Sequence, residues 1–279
     1  MLERFGLYPQ ADGTLKIVTQ QAVDGVVEEL SQFFGYNQHH ALIKFTAPGD
    51  EVSTLRRILN NRISRDPKMH PAIDKVIERL NLGIEIGGVA TYTGDLELGF
   101  NPKPYYIVFI SNATRISDFP FTLGEEITHG EHETNIIEAG NITHAQYKTR
   151  FQELTEEFLG YIGRKRIIAA AGLEGNYPLE LTWERNLTRD EWAHLIGYYA
   201  VDDLLDQGKK LPVVDLFHAP DETRFWQVLL EAIKDPVVIG FNFPKTLRLE
   251  KLIDPVNQLV ADCKAEKAIQ INFSYLPDS

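Results

Sequence analysis

Hydrophobic and polar positions follow two different periods along the chain, and each period predicts a different kind of element. In the first third, short β-rich runs bounded by turn residues alternate with segments whose apolar residues recur at helical spacing. The predicted strands are residues 15–19, 41–46, 84–92, 95–100 and 105–110. The predicted helices of this part are residues 22–34, 48–63 and 70–82. The pattern indicates a mixed α/β part with a small sheet, in which the last three strands lie side by side.

Helical periodicity replaces the strand-like runs after residue 115. The helices predicted in this second part are residues 118–133, 144–171, 188–206 and 220–234. The second of them is the longest periodic segment of the chain and carries one continuous apolar stripe. The third opens with a capping box made by Thr188 and Glu191.

This order of elements, mixed first and helical afterwards, predicts an α+β fold class. We divide the chain into a mixed α/β part at residues 1–115, a helical part at residues 116–235 and a C-terminal extension at residues 236–279. A chain of 279 residues is long enough to bury a full core, so one continuous domain over all three parts stays open.

Composition and charge narrow the possible partners. The formal net charge of −12 argues against a nucleic-acid partner, because phosphate binding depends on clustered Lys and Arg. The single cysteine, Cys263, excludes an intrachain disulfide framework and a Cys-rich metal site. No stretch approaches the roughly 20 apolar residues of a membrane span, and the first residues do not have the pattern of a signal peptide. We expect a cytoplasmic protein with no membrane partner, and the sequence leaves the oligomeric state open.

The stretch GEEITHGEHE, residues 124–133, concentrates groups that bind metals or transfer protons. On a helix, Glu125 and His129 stack one turn apart and His132 lies a further turn along, with Glu126 on the same polar side. A solvated helix face and a metal site both fit this pattern. The glycines at the first and seventh positions favour a site, because they let another segment or a substrate approach closely.

Residues 125–129 resemble the His-Glu-x-x-His signature of zinc metallopeptidases, with Glu125 in the place of the first histidine. The resemblance implies that Glu125 and His129 bind Zn²⁺ and that Glu126 is the base that activates a metal-bound water. His132 is the substitute ligand if Glu125 does not reach the metal. The implied activity is hydrolysis of a peptide or related amide bond, with a peptide or protein as the substrate.

The segment TEEFLGY, residues 155–161, is similar to the helix from which the gluzincin branch of these enzymes takes its third ligand, a glutamate. Glu156 falls on the solvated side of the apolar stripe, whereas Glu157 lies at its border and can turn into a cleft. The resemblance therefore implies Glu157 as the third ligand and a zincin-like fold.

The segment at residues 191–221 resembles the helix-turn-helix that follows the third ligand in gluzincin-like domains. The resemblance implies that Tyr198 or His194 stabilises the oxyanion of the reaction. The neighbouring Tyr199 is interpreted instead as core packing, together with Trp192 on the same helix face.

Two other functions remain open on the same residues. Glu126-x-x-His129 and Glu191-x-x-His194, with Glu157 between them, have the order found in ferritin-like di-iron oxidoreductases, which would make iron the cofactor. A peptidase-like fold that has lost one ligand and serves as a binding or scaffold module is the non-enzyme alternative. We rank the zinc-dependent hydrolase first.

Overall fold

The computed structural model describes residues 2–38, 41–46, 88–92, 106–111, 118–173, 187–244 and 248–276. The predicted helices at 48–63 and 70–82, the predicted strand at 95–100 and the start of the strand at 84–92 lie outside the described residues. The chain divides into two compact units, one made of residues 1–138 and 163–173 and the other of residues 139–162 and 174–279. The predicted boundaries at 115 and 235 stay predictions.

The described residues of the first unit form two small sheets and two α-helices, after a 3-10 turn at Leu2–Phe5. Its elements are β1 (Leu7–Pro9), β2 (Leu15–Ile17), α1 (Thr19–Phe34), β3 (Ala41–Thr46), β4 (Gly88–Tyr92), β5 (Tyr106–Ser111) and most of α2 (Phe119–Gly140). Strand β1 pairs antiparallel with β2, while β5 lies between β3, which is parallel to it, and β4, which is antiparallel. The predicted strands at 41–46 and 105–110 and the helix at 22–34 are confirmed within a few residues.

The second unit is mostly helical and ends in a sheet that the sequence analysis missed. Its elements are α3 (His144–Arg150), the first half of α4 (Glu153–Ala171), α5 (Arg189–Asp206), α6 (Val213–Phe217), α7 (Glu222–Ile233), β6 (Val237–Phe243), α8 (Glu250–Asp262) and β7 (Ile269–Tyr275). Strand β6 pairs parallel with β7, and burial alternates residue by residue along β6. The expectation that strands stop after residue 115 is therefore wrong, although the α+β class is confirmed.

Helix α5 begins as the sequence predicts. The side chain of Thr188 accepts a hydrogen bond from the backbone N–H of Glu191, and the carboxylate of Glu191 accepts one from the N–H of Thr188 at 2.7 Å. Among the described residues, no helix combines the length and the apolar run that a membrane crossing needs.

The predicted single helix over residues 144–171 is two helices, because the chain turns out of helical geometry at Phe151 (φ −129°, ψ 135°). The apolar stripe continues through the break, since Tyr147, Phe151 and Leu154 are all fully buried. Hydrophobic periodicity therefore does not reveal the interruption. The interruption arises instead because a backbone group beside Phe151 is hydrogen-bonded to a residue far away in the sequence.

The carboxylate of Glu222, at the start of α7, caps the first turn of α4. Its Oε1 accepts a hydrogen bond from the backbone N–H of Gln152 at 2.7 Å and another from the hydroxyl of Thr155 at 3.1 Å. The carboxylate thus pairs with one of the backbone N–H groups that every helix start leaves without a partner inside the helix. Glu222 is only 2% exposed, and this burial raises its pKa to about 7, although both hydrogen bonds act in the opposite direction.

We expect the stability of the second unit to depend on the protonation of Glu222. The pKa of Glu222 in the folded chain lies above its value in the unfolded chain. Its contribution to the free energy of unfolding is therefore full below about pH 4.5 and is lost as the pH rises to about 7. Relative to Glu222→Gln, the wild-type free energy of unfolding should fall over this window by up to about 1.4 kcal/mol per pH unit. Urea unfolding at several pH values measures it.

The matched control is Glu231→Gln on the same helix, because the side chain of Glu231 is 58% exposed. The difference between the wild type and this variant should not change with pH. Curves for wild type and Glu222→Gln that run parallel from pH 4.5 to pH 7 would contradict the assignment.

Candidate metal site

The stretch GEEITHGEHE lies inside α2, and this helix is buried on almost every side. Sixteen of its 22 residues are buried, including Glu125, Glu131 and His132 at 5%, 0% and 1% exposure. Glu126 and His129 are the half-buried members of the stretch. The interpretation of this stretch as a solvated helix face is therefore wrong.

Two glycines bring α2 and the second half of α4 into close contact. A Cβ on Gly163 would collide with the hydroxyl of Thr128 and lie 3.1 Å from the carbonyl oxygen of Gly124. A Cβ on Gly124 would lie 2.7 Å from Cγ1 of Ile167. Only glycine fits at both positions, which confirms the expectation that Gly124 lets another segment approach closely.

The residues that follow these two glycines, Glu125 and Arg164, form an ion pair with each other. Nη1 of Arg164 lies 2.9 Å from Oε2 of Glu125 and donates a hydrogen bond to it. The side chain of Glu125 is 7% exposed and that of Arg164 is 20% exposed, so solvent screens the pair only weakly. The close contact of the two backbones thus places a fixed positive charge beside Glu125.

The first half of α4 is approached in the same way by α5. A Cβ on Gly197 would lie 3.2 Å from the carbonyl carbon of Glu157 and 3.1 Å from the backbone nitrogen of Phe158. One turn before this glycine, Nδ1 of His194 lies 2.7 Å from Oε2 of Glu157. The side chain of His194 is 34% exposed, although Nδ1 of His194 and Oε2 of Glu157 are themselves buried.

Aromatic rings surround His194 on the same two helices. The ring of Tyr161 packs edge-on against His194 at 6.0 Å and against Tyr198 at 5.1 Å, and both tyrosines are buried. Tyr199, interpreted from the sequence as core, is 36% exposed and packs edge-on against Tyr198 and Phe241. That interpretation is wrong, because the neighbouring Tyr198 takes the buried position.

Glu157 and His194, which both belong to the second unit, offer two potential metal-ligand groups whose nearest atoms lie 2.7 Å apart. We call these two residues the metal group. Carboxylate oxygen and imidazole nitrogen are donors that zinc accepts, and imidazole also suits iron. The group can therefore supply ligands to a metal ion, and its donor types do not by themselves select one metal.

The metal group combines residues that the sequence analysis had given different roles. Glu157 is one of the predicted metal ligands, whereas His194 was predicted to stabilise an oxyanion. The roles of Glu125, His129 and His132 as ligands, of Glu126 as base and of Tyr198 as oxyanion donor stay predictions. Gly197, one turn after His194, is a sequence feature that indicates where another helix can approach His194. The spacing of Glu and His residues within one helix does not contain this information.

No protein-family model matches the chain, and the comparisons with curated proteins and with solved structures give no match either. The chemistry of the site must therefore be argued from its own residues.

We expect Gly163→Ala to destabilise the first unit, because its methyl group meets Thr128 and the Gly124 carbonyl. Overpacking of this kind costs about 1–3 kcal/mol, against which the better helix propensity of alanine returns up to about 1 kcal/mol. Urea unfolding measures the difference. Adding Thr128→Ala should restore part of the loss by opening space at the contact.

Gly240→Ala is the matched control, because a Cβ at that strand position meets no atom within 4 Å. It should be neutral or stabilising. A Gly163→Ala protein as stable as the Gly240→Ala protein would show that the two helix backbones are not in close contact.

Proposed function

We propose that this chain is a metal-dependent hydrolase in which Glu157 and His194 contribute ligands to a Zn²⁺ ion, with Glu125 as the further ligand that the resemblance to zinc metallopeptidases implies. The observation that carries the proposal is the distance of 2.7 Å between Nδ1 of His194 and Oε2 of Glu157. Catalytic zinc sites typically use three protein ligands and keep a further position open for water or substrate. Zn²⁺ bound there would lower the pKa of a water ligand and polarise a carbonyl oxygen.

The exposure and the composition of the chain both support a catalytic rather than a purely structural ion. The side chains of Glu157 and His194 are each partly exposed beyond the two buried atoms of their contact, and substrate needs such an approach. Structural zinc sites are usually closed and rich in cysteine, which the chain cannot supply with Cys263 alone.

Glu126 is the residue we assign as general base. It adjoins Glu125 and is half-buried, and it occupies the base position of the zinc metallopeptidase signature that residues 125–129 resemble. Its role would be to accept a proton from the attacking water and pass it to the leaving amine. The substrate class that follows from the resemblance is a peptide or a related amide.

The di-iron alternative receives less support from the local contacts. It requires Glu191 as a ligand, but a carboxylate oxygen of Glu191 already accepts the N–H of Thr188 in the capping box at 2.7 Å. Ligation through this oxygen would give up one half of the capping box, while the Thr188 side chain would still accept the N–H of Glu191. Zinc is therefore the first metal to test and iron the second.

Metal content and affinity of matched variants test the proposal. Wild-type protein loaded with zinc and then desalted should retain about one ion per chain, whereas Glu157→Gln and His194→Ala should each bind zinc at least about 10-fold more weakly, since each loses a ligand. Elemental analysis gives the stoichiometry, and competition with a chromophoric chelator gives the affinity.

Two variants control for general damage. Glu156→Gln changes the adjacent carboxylate, which pairs with Lys148 at 2.6 Å instead, and His218→Ala removes an exposed histidine of the same unit. Both should bind zinc like the wild type. Equal zinc binding by wild type and His194→Ala would overturn the site, and two irons per chain would favour the oxidoreductase.

Hydrolysis is tested separately with zinc-loaded protein and a library of fluorogenic peptides. Glu126→Gln should lower kcat strongly while zinc affinity stays unchanged, because the base does not bind the metal. Absence of cleavage by a protein that binds zinc as described would leave a metal-binding module and would contradict the hydrolase.

A further inference from the structure

Each residue of the metal group lies one helical turn before a tyrosine, and the two tyrosines pack against each other. Tyr161 follows Glu157 on α4 in this way. Tyr198 follows His194 on α5. The rings of Tyr161 and Tyr198 meet edge-on at 5.1 Å, and both side chains are buried. The four side chains belong to the second unit, so the metal group has a pair of aromatic rings directly beside it.

Each residue of the metal group is also supported by a residue of the other helix. A Cβ on Gly197 of α5 would lie 3.3 Å from Cβ of Glu157, so this glycine lets α5 pack against the base of the Glu157 side chain. Tyr161 of α4 packs edge-on against the imidazole of His194, with the ring centroids 6.0 Å apart. The two contacts together keep the carboxylate and the imidazole facing each other.

The contact with Tyr161 restrains the ring of His194. The side chain of His194 is 34% exposed, and solvent does not fix the orientation of a ring that can turn about two side-chain bonds. Tyr161 is only 3% exposed, so packing holds its own ring in place. A ligand nitrogen must point at the ion, and a ring that is already oriented loses less conformational freedom when it binds.

We propose that Tyr161 is a positioning residue of the metal site, which holds the imidazole of His194 in the orientation that places Nδ1 beside Glu157. The inference rests on the proposed metal-dependent function and concerns how one ligand of that site is oriented. Immobilising a side chain on binding typically changes affinity by about 2–10-fold. Tyr161 acts through His194 and is not itself a ligand.

Zinc affinity of Tyr161 variants tests the inference. Tyr161→Leu removes the ring and should weaken zinc binding by about 2–10-fold, whereas Tyr161→Phe keeps the ring and should bind zinc like the wild type. In a His194→Ala background, Tyr161→Leu should have no further effect on affinity. If Tyr161→Leu does not fold, Tyr161→Met, whose longer and flexible side chain fills more of the space, takes its place.

The matched control is Phe158→Leu on the same helix. Phe158 is fully buried and packs edge-on against Phe225 at 5.8 Å and Trp226 at 5.4 Å, which lie on α7 rather than on α5. This variant loses comparable aromatic contacts, so it should lower the free energy of unfolding without changing zinc affinity. The comparison separates a positioning role from a structural one.

The outcomes distinguish the proposed site from the role of Tyr161 within it. Wild-type protein that binds no zinc overturns the site and this inference with it. Wild-type protein that binds zinc while Tyr161→Leu binds it equally well or more tightly overturns the positioning role only. The positioning role is also overturned if Tyr161→Phe or Phe158→Leu loses as much affinity as Tyr161→Leu, or if the loss is the same with and without the imidazole of His194.

Discussion

The close approach of helix backbones at glycine positions is the constraint on which the candidate site depends. Gly163 allows α4 to meet α2, and Gly197 allows α5 to meet α4. A Cβ at either position would push its helix away from a backbone, and the side chains beside the contact would separate with it. The ion pair of Glu125 and the contact of Glu157 with His194 are short because the helices that carry them are close.

Buried carboxylates need hydrogen-bonding or charged partners, and Glu125, Glu131 and Glu222 each pair with a different kind of group. Glu125 is held by Arg164, Glu131 accepts the hydroxyl of Tyr106 at 2.8 Å, and Glu222 accepts the backbone N–H of Gln152. An unpaired buried carboxylate would cost several kcal/mol. The pairing of Glu157 with a histidine differs from these three, because both partners are also good metal ligands and both are partly exposed.

Much of the local structure followed from the sequence because its causes are local. The capping box that opens α5 and the apolar run that forms β5 depend on residues within a few positions of one another. The break at Phe151 was not predictable in this way, since the cap that satisfies it comes from Glu222, 70 residues away from Gln152. Strand β6 was missed although its residues alternate, because a run of seven is short for a periodicity argument.

The candidate site, like the fold, could be predicted from the sequence only in part. Its composition could be predicted, because glutamates and histidines at helical spacing stand out in any sequence. Its grouping could not, because helical spacing relates residues of one helix and says nothing about which face of another helix lies opposite. Gly197 marks where α5 can approach α4, and the position of His194 one turn earlier then brings it to Glu157.

The most direct test of the account is a crystal structure of zinc-loaded protein with anomalous diffraction measured at the zinc edge. The account predicts an anomalous peak about 2.0–2.2 Å from a nitrogen of His194 and from an oxygen of Glu157. A zinc peak bound instead by His129 and His132, or no ordered zinc near His194 in protein that is fully loaded, would contradict it.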